Sequence, residues 1–369
     1  MSMPALLFVS CIDSGTDVDN ASQPLKPIFM YDDSLLVMPV DIQTRANVEF
    51  TDPSLSVGLY LTPSRASSLY TFNYSAGDPV WSGRGNVDPG LNYEIFGYLP
   101  VKAGITASLS GYRASDAEFT NSTTHPVLTL SNMDPILTDE LAVVTGVRAI
   151  DAADDDAAAA AASVPAAGSF YYQAKAGNNY VCLLLERIVT SYNIRIAIST
   201  NAVSADDSRY DPMNYDGIRS VHINRMELRT TAGKKMSATV TFNDNPSGAS
   251  PAIQDVTWNV ESGTSDPVAI FDSVTTGASK VLTTDWQEIA FYSMPSSLAT
   301  VILTTYYDVY DRKGNVVRRN CVSENNLTSL LGSITPAVGT KYTINLVVKP
   351  TYLYQLSADD IDNPTIVAN

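Results

Sequence analysis

The sequence has only two histidines, His125 and His222, and three cysteines, Cys11, Cys182 and Cys321. A histidine-based triad or zinc cluster has little to draw on, and the cysteines have no metal-like spacing. Their odd number leaves at least one thiol unpaired; a Cys182 to Cys321 disulfide is neither implied nor excluded. Basic residues are scarce too. Against 39 Asp and Glu stand 23 Lys and Arg, a formal net charge of −16 with no basic patch for nucleic acid or an anionic bilayer. No apolar run is long enough for a transmembrane helix. Glycine-rich phosphate loops, nucleophile elbows and dinucleotide fingerprints are missing. The late carboxylates Asp359, Asp360 and Asp362 form no recognisable pair, since a glycosidase pair is set by the fold. The expectation is a protein without catalytic activity, metal or cofactor.

What the chain does contain is turn-rich and aromatic. Tyr (20) outnumbers Phe (10), and Gly and Pro stand at 20 each, a composition that leans toward β structure. A length of 369 residues exceeds what one core usually serves, so two domains are expected. Short apolar pieces cut by breakers predict strands at 56–61, 69–74, 92–98, 126–130 and 141–145. Gly77-Asp78-Pro79 and Asp88-Pro89-Gly90 lie between them. A long apolar piece follows from Tyr180 to Ile198, with Cys182 as a small core residue, and its second half alternates at Ile194, Ile196 and Ile198. Further strands are predicted at 220–224, 238–242, 268–271, 288–292, 301–310 and 341–349, with a turn at Asp311 to Gly314. Helical windows do not alternate with these strands, which argues for sandwiches over a parallel sheet. Residues 151–168 differ: Asp154-Asp-Asp156 runs into six alanines, read as an exposed insertion rather than a calcium loop.

One stretch organises the rest. From Leu35 to Phe50, Val40 and Ile42 alternate with polar residues before Arg45, and Val48 and Phe50 alternate after it. Thr44-Arg45-Ala46 meets the need of a trypsin-like protease for an Arg or Lys in an accessible, extended segment; the bland alternative is a surface arginine within one long strand. Upstream, Met3 to Ser10 is a short apolar run closed by Cys11 and followed by a polar tail, like the end of a bacterial lipoprotein signal in which the thiol is acylated. No Lys or Arg precedes that run, and a plain apolar terminus is the alternative.

In order along the chain, the leader ending in Cys11, Thr44-Arg45-Ala46, Tyr93 to Pro100, Leu183 to Ile196 and Tyr342 to Pro364 resemble the fimbrillins of Bacteroidales. The departure is Glu186, where many members carry histidine. The resemblance implies a mainly β fold of two transthyretin-like β-sandwich domains in tandem. Residues 1–45 would form a lipoprotein leader with a removable first strand, 46–178 the N-terminal sandwich including the 151–168 insertion, and 179–369 the C-terminal sandwich.

It further implies a fimbrial subunit of the outer membrane and cell surface, lipidated at Cys11 and cut between Arg45 and Ala46 by an arginine-specific protease. The strand holding Val37, Val40 and Ile42 would then leave, and a strand from another subunit would fill the groove. Its partners would be other fimbrial subunits, the protease and an unidentified surface ligand in adhesion. A second expectation is a non-polymerising surface lipoprotein that binds glycan through paired aromatics such as Tyr171-Tyr172 and Tyr306-Tyr307.

Overall fold

The computed structural model describes residues 21–31, 54–113, 115, 125–150, 168–198, 220–231, 233–243, 251–283, 285–295, 300–310, 314–331, 335–348 and 361–368. In chain order the strands begin with β1 (Gln23–Tyr31), β2 (Ser56–Thr62), β3 (Arg65–Ser75), β4 (Asp78–Gly83), β5 (Asn86–Val87), β6 (Asn92–Leu99) and β7 (Thr106–Ser110). Next come β8 (Val127–Met133), β9 (Ile136–Leu137), β10 (Ala142–Ala149), β11 (Tyr171–Gln173), β12 (Asn179–Arg187) and β13 (Thr190–Ile198). After these lie β14 (Ser220–Thr230), β15 (Lys235–Phe242), β16 (Ile253–Glu261), β17 (Val268–Asp272), β18 (Lys280–Val281) and β19 (Gln287–Ser293). The last are β20 (Val301–Tyr310), β21 (Val316–Asn326), β22 (Lys341–Val348) and β23 (Ile361–Ala368). Among the described residues helix is confined to single turns at α1 (Ser273–Thr276) and α2 (Thr328–Leu331). The protein is mainly β, as the composition and punctuation predict.

Among the described residues four sheets build two layered bodies. A nine-stranded sheet runs β4-β3-β2-β6-β10-β12-β1-β5, with β11 beside β6. It packs one face on a four-stranded sheet, β16-β15-β8-β7, through Phe96, Tyr98, Leu128, Leu130, Val240 and Phe242. The phenyl rings of Phe96, Phe170 and Phe242 meet at 4.7–5.4 Å in this layer. The other face curls on itself around Leu25, Val57, Leu59, Trp81, Ile95 and Leu183. Burial on both faces is why β2, β6 and β12 read as near-continuous apolar runs, whereas β15, packed on one face only, alternates Met236, Ala238, Val240 and Phe242 inward.

The second body pairs a five-stranded sheet, β23-β22-β13-β19-β9, with a sheet ordered β17-β14-β20-β21 and β18 on β14. Its core includes Tyr192 stacked on Phe291 at 4.8 Å, with Ile194, Ile223, Leu303 and Ile344 around them.

The chain crosses between these bodies within what the sequence presents as one apolar run. β12 ends at Arg187, Ile188 and Val189 turn the corner buried, and β13 starts at Thr190 in the other body. The sheets also mix the two halves of the chain: β15 and β16 lie beside β7 and β8, with Thr239 opposite Thr129. Close backbone approach fixes the register of β2 on β6, where Leu59 faces Gly97, because a Cβ on Gly97 would lie 2.4 Å from the Gly58 carbonyl oxygen.

Candidate functional site

The segment of interest is β1, because in sequence Arg45 lies between it and β2. β1 runs parallel to β12 over seven pairs, from Leu25 opposite Asn179 to Tyr31 opposite Leu185. Among the described residues its other edge pairs at Gln23 and Pro24, with Val87 and Asn86 of β5, and the Leu25 N–H donates to the Gly85 carbonyl at 2.9 Å. Pro27 can donate no hydrogen bond and is tolerated here, where no described residue pairs with that edge beyond Leu25. Side chains alternate across the strand. Leu25, Phe29 and Tyr31 enter the curled core with Trp81 and Leu183, while Ile28 and Met30 enter a smaller cluster with Cys182 and Ile150.

Polar groups hold both ends. Before β1, the Ser22 hydroxyl accepts from Arg65 Nη2 at 2.8 Å, and the same nitrogen donates to both Asp88 oxygens at 2.9 and 3.0 Å. The Asp88 N–H donates to the Tyr93 hydroxyl at 2.8 Å. A hydrogen bond from Ser22, together with the Arg65 guanidinium, holds the Asp88 carboxyl below its ordinary range despite partial burial.

At the far end, the Arg187 guanidinium lies 4.1 Å from the Tyr31 ring centroid, a cation–π geometry. Arg187 also donates to Glu140, and Glu140 takes the Tyr31 hydroxyl hydrogen bond. Burial first, and then the Glu140 carboxylate, push the Tyr31 hydroxyl far above its usual range. Tyr292 of β19 lies beside the same group and is pushed up to about 12 by burial and Glu140. The clamp therefore sits where the first body meets the second.

The sequence-selected residues fall as follows. Cys11, Arg45, Ala46, Val37, Val40 and Ile42 lie outside the described residues, as do Asp359, Asp360 and residues 151–167 of the insertion. Cys182 and Cys321 are free thiols. They belong to different cores, and burial pushes Cys182 up to about 12. Tyr172 and Tyr307 are buried in their sheets, Tyr172 bonding Asn179 at 2.6 Å, so neither tyrosine pair offers two adjacent accessible rings.

His222 stacks on Tyr310 at 4.1 Å, and burial lowers its pKa. Among the described residues no group of three or more His, Cys, Asp or Glu could hold a metal, and no helix is long and apolar enough to cross a membrane. A small cleft of about 140 Å³ is lined by Lys102, Asp134, Asp139 and Lys235. Its two lysines already pair with Asp139 and Asp134.

Sequence reasoning missed β1 and both its clamps. The one local signal was Ile28-Phe-Met-Tyr31, a short apolar run hidden behind Pro24 and Pro27.

No family model matches the sequence, and no curated protein matches it. Solved structures do match over nearly the whole length. A protein described as a cell adhesion protein from Bacteroides uniformis has TM-score 0.41 and 12% identity, covering 94% of this chain and 98% of its own. Another so described, from Bacteroides fragilis, has TM-score 0.43 and 8% identity, covering 95% and 97%. The fimbrial anchor protein Mfa2 of Porphyromonas gingivalis has TM-score 0.29 and 11% identity, covering 95% and 98%. Likenesses of this size decide nothing about this chain's role.

Proposed function

We propose that this chain is a structural subunit of a cell-surface fimbria. It is exported as a lipoprotein through Cys11, matured by arginine-specific cleavage between Arg45 and Ala46, and assembled by strand addition in cell adhesion. The observation that carries this reading is that β1, upstream of Arg45, supplies five side chains to two cores, Leu25, Ile28, Phe29, Met30 and Tyr31, yet among the described residues hydrogen-bonds along only one of its edges beyond Leu25.

A cut at Arg45 turns β1 into a separate peptide held by non-covalent contacts alone. Val37, Val40 and Ile42, which lie between β1 and Arg45 in sequence, leave with it. Its departure uncovers the edge of β12 and five apolar pockets, each worth about 1.5–3 kcal/mol when filled. A groove so exposed takes up an extended strand through main-chain hydrogen bonds and alternate side-chain pockets. On this reading the partners are other fimbrial subunits and the protease, the place is the cell surface and outer membrane, and no catalysis is involved. Two transthyretin-like domains are part of the same proposal, but β12 (Asn179–Arg187), β15 and β16 pair with strands of the first body, so the passage between the two falls at Ile188 and Val189 and not at 178–179.

The test is to treat the full chain with an arginine-specific protease. One dominant cut after Arg45 followed by oligomers supports the reading, and Arg45→Ala should stay monomeric. A clean cut that leaves a stable monomer overturns it.

A further inference from the structure

We infer that the β1 position selects its occupant by two polar clamps: Arg65 and Asp88 take a Ser or Thr hydroxyl at the strand's start, and Glu140 with Arg187 takes a tyrosine nine residues later. The incoming strand is therefore an extended segment of another subunit with that spacing and a bulky apolar residue two positions before the tyrosine. This rests on the strand-replacement reading given above and says what the replacing strand must look like.

The pockets alone cannot set register. A slip of one residue exchanges the two faces, but a slip of two keeps every side chain on its own face. Apolar pockets discriminate weakly between side chains of similar size, whereas a site built to hydrogen-bond a hydroxyl strongly rejects a segment lacking it. The Tyr31 clamp is buried and built in this way, whereas the Ser22 clamp is open to water and adds a weaker preference for a hydroxyl. Ser22 and Tyr31 are nine positions apart, roughly 30 Å of extended chain, so a strand two residues out of place can satisfy neither.

The Tyr31 end is the stronger of the two. Tyr31 is 9% exposed, and its hydroxyl meets a carboxylate that is itself fixed by Arg187. Without a tyrosine there, Glu140 loses a buried donor and Arg187 loses the ring beneath it. Trp81 adds a third requirement, since Phe29 meets it edge-on at 4.8 Å. The segment 361–369 carries no aromatic residue and fits neither Trp81 nor the tyrosine clamp.

The experiment exchanges fluorescently labelled peptides into the full-length protein cut at Arg45. The peptides are the natural Ala21–Tyr31 sequence, its Ser22→Ala and Tyr31→Phe forms, a Phe29→Tyr/Tyr31→Phe form that moves the hydroxyl by two positions, and the 361–369 segment. The natural peptide should bind. Loss of the Tyr31 hydroxyl, or its displacement, should weaken binding about tenfold, and loss of the Ser22 hydroxyl about threefold. The 361–369 segment should bind at least tenfold more weakly. In cut Glu140→Gln protein the Tyr31→Phe penalty should shrink, a coupling that a merely structural glutamate would not produce. Equal binding of all the peptides overturns the clamps and leaves strand replacement standing. Failure of every peptide, including the natural one, overturns both.

Discussion

Phe29 lies edge to face against Trp81, their ring centroids 4.8 Å apart, and through this contact β4 closes over the strand that precedes Arg45. Both rings are almost fully buried, and Tyr74 approaches Trp81 at 5.5 Å. The sheet is curled because an aromatic at each margin gives it something to close upon. Phe29→Ala should cost about 3–5 kcal/mol in urea unfolding of the uncut chain. In the cut protein it should also speed release of the N-terminal peptide.

The Ser22 clamp should be acid-sensitive. The folded Asp88 carboxyl titrates below its unfolded value, so its contribution is fully present above about pH 3.9. It is lost as pH falls from there through the depressed folded value. Retention of the N-terminal peptide in the cut protein, followed by gel filtration from pH 6 downward, should show this loss. Asp88→Asn should remove that part of the pH dependence.

Glu94 and Arg113 form an ion pair that is 0% and 1% exposed, tying the segment after β7 to the middle of β6. Removing one partner strands a charge in the interior. Arg113→Met should therefore destabilise the protein by about 3–5 kcal/mol, and the double variant with Glu94→Leu should recover much of that loss. Chemical denaturation of the four proteins measures the coupling.

Gly97→Ala tests the β2–β6 register. Its new Cβ would meet the Gly58 carbonyl oxygen and a Leu59 methyl, and the backbone oxygen cannot turn away. The expected cost is about 1–3 kcal/mol, measured as a lower urea midpoint. Gly177→Ala is a useful contrast: nothing lies within 4 Å of its Cβ position, and its φ of +94° is the only obstacle.

Much of this architecture was legible in the residues. Strands packed on one face declare themselves by alternation, as in β15, and turns by punctuation, as at Gly77, whose φ of +84° sits in the tight link between β3 and β4. Two features were not. The break between β12 and β13 falls at Ile188 and Val189, both buried and as apolar as the strands they separate, so no local contrast marks it. β1 carries two prolines and owes its place to a parallel partner some 150 residues away, Lys26 facing Tyr180.

The clamps were hidden for the same reason. Arg65, Asp88, Glu140 and Arg187 come from four separate places in the chain, and each looks like an ordinary surface charge until the fold gathers them. The Arg45 stretch drew attention through its pattern. Its meaning depends on β1, which the pattern did not reveal.

The most direct test of the central claim is the N-terminal residue of the protein recovered from the surface of the cells that make it. Maturation at Arg45 requires that residue to be Ala46, with the N-terminal peptide absent from the assembled form. An acylated Cys11 still joined through Arg45 to the rest of the chain, in assembled material, would contradict the account.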